Sequence, residues 1–230
     1  MRTGLLVLVD IPLLIIAIPV LLVCVLFGLR DQFLAYGHWM MEVGRRIIGI
    51  RIEVTGLDRF DAGTPYVFMS NHLSFLDGPL LATVIGRPMR VIVKKFVFRF
   101  PVLGLGMRFA GYVPLEKEGA GAGRQSIARA AQLIKDKRYS FLIYPEGTRS
   151  WDGKIQPFRR GGFFLAIECG TPIVPISVRG TYELMPRGQG HIRKGLVRIT
   201  FHEPVPVTGY APETMAGLMD RVKEAISSAL

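Results

Sequence analysis

The chain of 230 residues carries 29 Lys and Arg against 18 Asp and Glu, a formal net charge of +11. That length suits one domain with a full core, and the charge calls for an anionic partner: an acidic membrane surface, phosphorylated substrates or nucleic acid. Half the residues are hydrophobic and the mean hydropathy is +0.33, which puts a membrane ahead of nucleic acid, while two cysteines exclude a disulfide framework or a metal knuckle and fit a reducing compartment.

In chain order, the first feature is an uncharged apolar run from Ile11 to Leu29, about as long as a bilayer-crossing helix. Pro12 suits a first helical turn, but Pro19 predicts a kink or break midway. The run therefore either spans the bilayer or forms a bent hairpin held in one leaflet. Arg30, Arg45, Arg46 and Arg51 follow it and only Arg2 precedes it, which places the rest of the chain on the cytoplasmic side. Residues 34–50 read as a second, amphipathic helix whose Tyr36 and Trp39 suit headgroups; a helix packed on the globular domain is the other reading.

From residue 50 onward, short β-prone runs alternate with helical ones. Strands are expected over 50–56, 66–70, 89–95, about 111–115, from 139, and over 171–178 and 195–205. Helices are expected over 77–86, 123–137, 161–170 and 211–230. The stretch 96–110, broken by Pro101 and several glycines, reads as a loop that dips into lipid or lines an acyl groove, with a core contribution as the alternative. The pattern predicts an α/β fold: a single domain over residues 51–230 with a mixed, largely parallel sheet flanked by helices, preceded by a membrane-associated helical segment over residues 1–50.

Ligands gather beyond the carboxyl ends of strands in such sheets, and two polar clusters fall there: "SNHLSFLDG" after "YVFM", and "YPEGTRS" after "FLI". His72 and Asp77 are five positions apart. On one continuous helix they would point about 140° apart, so they meet only if His72 lies on a strand-to-helix corner. Ser74 as N-cap with Asp77 in a capping-box-like position supplies a purely structural account. The chemical account is a dyad in which the carboxylate orients the imidazole and leaves its other nitrogen as general base. Arg149 offers a phosphate fork, Thr148 a donor and Gly147 close backbone approach. Arg159 and Arg160 add charge before a helix start.

These blocks resemble the motifs of the glycerolipid acyltransferase family: "NHLSFLD" the first, "GYVPLEK" the second, "YPEGTRS" the third and "TPIVPISV" the fourth, in order from about Val54 to Pro186. Within it the chain is similar to bacterial 1-acylglycerol-3-phosphate acyltransferases. The resemblance implies His72 as general base, Asp77 as its orienting carboxylate, and a substrate-binding set of Asn71, Ser74, Lys117, Glu146, Gly147, Thr148 and Arg149. Asn71 and Ser74 would shape the turn, and Pro175 the sheet end. It further implies a lysophospholipid acceptor, an acyl-CoA or acyl-carrier protein donor as co-substrate, and no cofactor or metal. The implied partners are an anionic phospholipid membrane, on the cytoplasmic face of a bacterial inner membrane, and no nucleic acid. One departure stands out: Lys117 occupies a place where the family usually has Arg, keeping the charge but losing the fork.

Other acceptors, such as glycerol 3-phosphate or another lysolipid, would use the same chemistry. A lipid hydrolase lacks support, since no G-x-S-x-G elbow is present, and a non-catalytic membrane protein would not need His72 and Asp77 together. His38, His191 and His202 lack ligand spacing.

Overall fold

The computed structural model describes residues 2–115 and 122–230. Its elements are α1 (Arg2–Phe27), α2 (Arg30–Ile48), β1 (Ile50–Thr55), β2 (Val67–Ser70), α3 (Asp77–Val84), β3 (Met89–Lys94), α4 (Pro101–Ala110), β4 (Val113–Leu115), α5 (Ala122–Lys137), β5 (Ser140–Ile143), α6 (Gly161–Cys169), β6 (Ile173–Arg179), α7 (Thr181–Leu184), β7 (Gly195–Phe201) and α8 (Met215–Ser227). Short 3-10 turns follow β1 and β3.

The strands form one seven-stranded sheet in the order β1-β7-β6-β2-β5-β3-β4. All neighbours are parallel except β6 and β7. Because side chains alternate along a strand, adjacent residues feed opposite cores. Val67, Met69, Phe141 and Ile173 pack toward α5, α6 and α8, with Leu218, Val222 and Ile226 from the last. Tyr66, Phe68, Leu142 and Val174 face the other layer, with Leu80 and Leu81 of α3. Central strands buried on both faces explain the continuous apolar text of "YVFM" and "IVPISV".

Buried Arg90 of β3 ties this sheet to the helices. Its Nε donates to the Ala110 carbonyl at 3.1 Å, its Nη2 to Asp31 Oδ1 at 2.7 Å, and its guanidinium lies 3.3 Å from the Tyr139 ring centroid.

Three expectations change. Residues 96–110 are not a loop: a 3-10 turn over Lys95–Arg99 leads into α4. Pro101 sits at the helix start, where it is tolerated, and Gly106 is a contact position, since a Cβ there would come 2.8 Å from the Phe33 ring of α2. Pro19 does not break α1, which continues to Phe27 while Ala17, Leu21 and Cys24 are buried along its inner face; the chain reverses at Gly28 and returns as α2. Ser74 is not the N-cap of α3, because a turn through Phe75 and Leu76 intervenes and the helix opens at Asp77 itself. Among the described residues no helix is long and apolar enough to cross a membrane.

Candidate active site

Strand β2 ends at Ser70 and α3 begins at Asp77, so residues 71–76 form a corner at the carboxyl end of the sheet. Asn71 anchors it. Its Nδ2 donates to the Val178 carbonyl at 2.8 Å, and the Val178 N–H donates to its Oδ1 at 2.8 Å. The side chain thus mimics a strand partner for β6 and fixes where the next residue emerges.

That residue is His72. Its Nδ1 lies 2.8 Å from Asp77 Oδ2, which also accepts the N–H groups of Leu73 at 2.8 Å and Ser74 at 2.9 Å. An oxygen collecting backbone donors is an acceptor, so the imidazole presents N–H from Nδ1 and Nε2 carries the free lone pair. The His72 side chain is 20% exposed and that of Asp77 is 0% exposed: a ligand can reach the ring but not the carboxylate behind it. The ring of Tyr144 stacks on the imidazole at 3.9 Å between centroids and 15° between planes. Among the described residues its hydroxyl is buried without a partner. Burial, with the Asp77 charge nearby, holds that phenol well above its ordinary range.

Strand β5 ends at Ile143 and delivers the second loop. Two bonds lock it to the corner: the His72 N–H donates to Glu146 Oε1 at 2.6 Å, and the Ser150 N–H donates to the His72 carbonyl at 2.9 Å. Glu146 Oε2 accepts the Gln156 N–H at 2.7 Å. Burial pushes the Glu146 carboxyl up to about 7 against the pull of those two N–H groups. Gly147 has φ +71°, and a Cβ there would meet Arg159 Cδ and Nε at 2.9 Å. Arg149 is half-buried, 6.0 Å from the ring centroid of the exposed Phe75, and is in no described ion pair.

The structure therefore divides the expected set. His72, Asp77, Glu146, Gly147, Thr148 and Arg149 meet at one corner. Asn71, Ser74 and Glu146 turn inward: Asn71 clips onto β6, Ser74 Oγ donates to the Met185 carbonyl at 2.8 Å, and both Glu146 oxygens accept backbone N–H groups. These three side chains hold the corner together. Lys117 lies outside the described residues. Arg160 is turned away, its Nη2 donating to the Pro212 carbonyl at 2.6 Å. Arg187, which nothing in its Gly- and Pro-containing stretch singles out, joins the site: its Nη1 donates to Thr148 Oγ1 at 3.0 Å and to the Arg149 carbonyl at 2.7 Å, and its guanidinium sits 4.0 Å from the Trp151 ring centroid.

Fold and site together define a mixed α/β protein with a histidine–carboxylate pair at its strand ends and a cationic loop beside it. The chain belongs to the acyltransferase family, whose model matches residues 51–179. It is similar to a chloroplastic 1-acyl-sn-glycerol-3-phosphate acyltransferase of Brassica napus, 38% identical over 157 residues, covering 67% of this chain and 45% of that protein. It is also similar to the human 1-acyl-sn-glycerol-3-phosphate acyltransferase alpha, 29% identical over 212 residues, covering 92% of this chain and 74% of that one. The chain thus spans less than half the length of the plant relative and about three quarters of the human one. The fold is that of the crystal structure of the 1-acyl-sn-glycerophosphate acyltransferase PlsC from Thermotoga maritima, with a TM-score of 0.75 at 24% identity, covering 100% of this chain and 96% of that one.

Proposed function

We propose that the chain transfers an acyl group from an acyl thioester, acyl-CoA or acyl-carrier protein, to the free sn-2 hydroxyl of 1-acylglycerol 3-phosphate, giving phosphatidic acid. The observation that carries this reading is the imidazole of His72, held by Asp77 at 2.8 Å with Nε2 left facing outward. Nε2 takes the hydroxyl proton as the oxygen attacks the thioester carbonyl. The tetrahedral intermediate collapses with cleavage of the carbon–sulfur bond, and the imidazolium returns its proton to the departing thiolate. A thioester is already activated, so no enzyme nucleophile is needed. Arg149 holds the acceptor phosphate beside Gly147 and Thr148, with Arg187 bracing the loop, and Lys117 supplies a further charge.

Residues 1–50 attach the chain to an anionic membrane, and residues 51–230 form the catalytic domain on the cytoplasmic face of a bacterial inner membrane. Supporting this, Leu26 and Phe27 are 78% and 68% exposed, and Val102, Leu103 and Leu105 of α4 are exposed as well; an apolar surface of that extent calls for a covering partner. The test is acyl transfer by the purified chain to a panel of lysolipids and glycerol 3-phosphate, with both thioester donors. His72→Ala abolishes transfer without changing vesicle binding. Retained transfer would remove the general-base role.

A further inference from the structure

Beside the edge strand β4, a cleft of about 360 Å³ opens between α2, α4 and α5. Arg30 enters it from the first residue of α2, Arg108 from the last turn of α4 and Arg129 from the middle of α5, with Gln125 and Ser126 between them. All three arginines are exposed. Aromatic faces rather than carboxylates steady two of them: Arg30 lies 5.6 Å from the Phe109 ring centroid and Arg108 lies 5.9 Å from that of Phe98. The neighbouring acid, Asp31, is engaged by Arg90 at 2.7 Å. Among the described residues none of the three cations forms an ion pair. Cations lining one cleft repel one another until an anion enters, and guanidinium forks match phosphate oxygens.

The surroundings indicate where that phosphate comes from. Arg30 follows the turn at Gly28 directly after Leu26 and Phe27, the most exposed apolar residues among the described side chains of α1. Arg108 lies in the last turn of the helix that also exposes Val102, Leu103 and Leu105. A basic recess bordered by apolar helix surface sits where a headgroup lies when those side chains enter acyl chains. β3 separates β4 from β5, the strand that delivers Arg149, so the cleft lies two strands across the sheet from that loop, with Gly111 to Pro114 of the second motif as one of its walls. We infer that Arg30, Arg108 and Arg129 form a binding site for the phosphate of an anionic glycerophospholipid headgroup. The assignment rests on the membrane attachment proposed above and not on the acyl-transfer chemistry.

Vesicle flotation of the full chain tests it. Phosphatidylcholine vesicles are compared with phosphatidylcholine–phosphatidylglycerol vesicles, using R30Q/R108Q/R129Q and the charge-matched control K137Q/R221Q/K223Q on exposed positions. Diffuse attraction is worth about fivefold in affinity for each basic residue near the surface, and both variants remove three charges. The expected result is a loss of preference for anionic vesicles at least about tenfold greater in the cleft variant than in the control. Equal losses overturn the site while leaving membrane attachment intact. A wild type that floats equally with both vesicles overturns the site, and one that floats with neither overturns membrane attachment as well. A cleft variant that floats like the control, but loses thermal stabilisation by inorganic phosphate, marks a free-phosphate site and overturns the lipid assignment. R129Q alone, which disturbs no described aromatic contact, repeats the test should the triple variant fold poorly.

Discussion

Replacing Glu146 by Gln separates the corner's framework from its chemistry. In the wild type both carboxyl oxygens accept backbone N–H groups, from His72 at 2.6 Å and Gln156 at 2.7 Å. An amide offers one oxygen and an NH2, so one of those donors is left facing another donor. A buried N–H without an acceptor costs about 1–3 kcal/mol, which for a domain of this size lowers Tm by about 2–12 °C. The loss depends on pH, with a definite sign. The Glu146 carboxyl is held up to about 7, against 4.5 when unperturbed, by burial first. Between those values the folded chain binds more protons than the unfolded one. Wild-type stability from this group is therefore full below 4.5 and declines as pH rises through about 7. Gln has no proton to release, so the gap between wild type and Glu146→Gln narrows across that window. Melting followed by circular dichroism from pH 5 to 8, with kcat measured in parallel, reads both effects. A gap that widens with pH refutes the raised Glu146 value, and no gap anywhere in that range refutes the bridging role.

Tyr144→Phe removes a buried hydroxyl with no partner among the described residues and leaves the stacked ring, so it keeps or raises Tm, by up to about 1 kcal/mol of stability. Tyr144→Leu removes the ring and lowers kcat by about 10–100-fold through misplacement of the imidazole, with acceptor KM little changed; equal kcat values for the two variants would exclude a positioning role. Asn71→Asp sets a buried carboxylate against the Val178 carbonyl in place of an N–H donor, costing about 3–5 kcal/mol and showing as a collapse of soluble yield or a lowered denaturation midpoint. Arg149→Lys raises acceptor KM about tenfold by exchanging a fork for a point charge; a rise confined to donor KM would assign Arg149 to the donor.

The sheet was legible because its central strands are buried on both faces and their text is continuously apolar. The corner was legible because a five-residue separation of His72 and Asp77 cannot close on a straight helix. What stayed hidden depends on distant partners. Asn71 reads as one more polar loop residue until β6, 107 residues on, presents Val178 to it. Arg90, a lone cation inside "MRVIVK", and Arg187, between Pro186 and Gly188, are given meaning only by elements far along the chain. Residues 96–110 depart from the expected loop for a different reason. Pro101 and the glycines read as breakers, yet Pro101 is tolerated at a helix start, and a Cβ at Gly104 would meet the Phe98 carbonyl of the preceding turn.

The helix-start and dyad accounts of "SNHLSFLD" describe one device. Asp77 opens α3, where the helix N-terminus favours negative charge. Its Oδ2 gathers the N–H groups of Leu73 and Ser74 together with Nδ1 of His72. The bonds that shape the turn therefore also immobilise the carboxylate behind the imidazole. Glu146 fixes the backbone of the same histidine from the opposite side, and Tyr144 fixes the ring plane. With backbone, ring face and Nδ1 all engaged, Nε2 is the one polar atom of His72 left to a ligand. A base held at every other point loses little on reaching its reactive geometry, which is what a reaction with a single proton in transit asks of it.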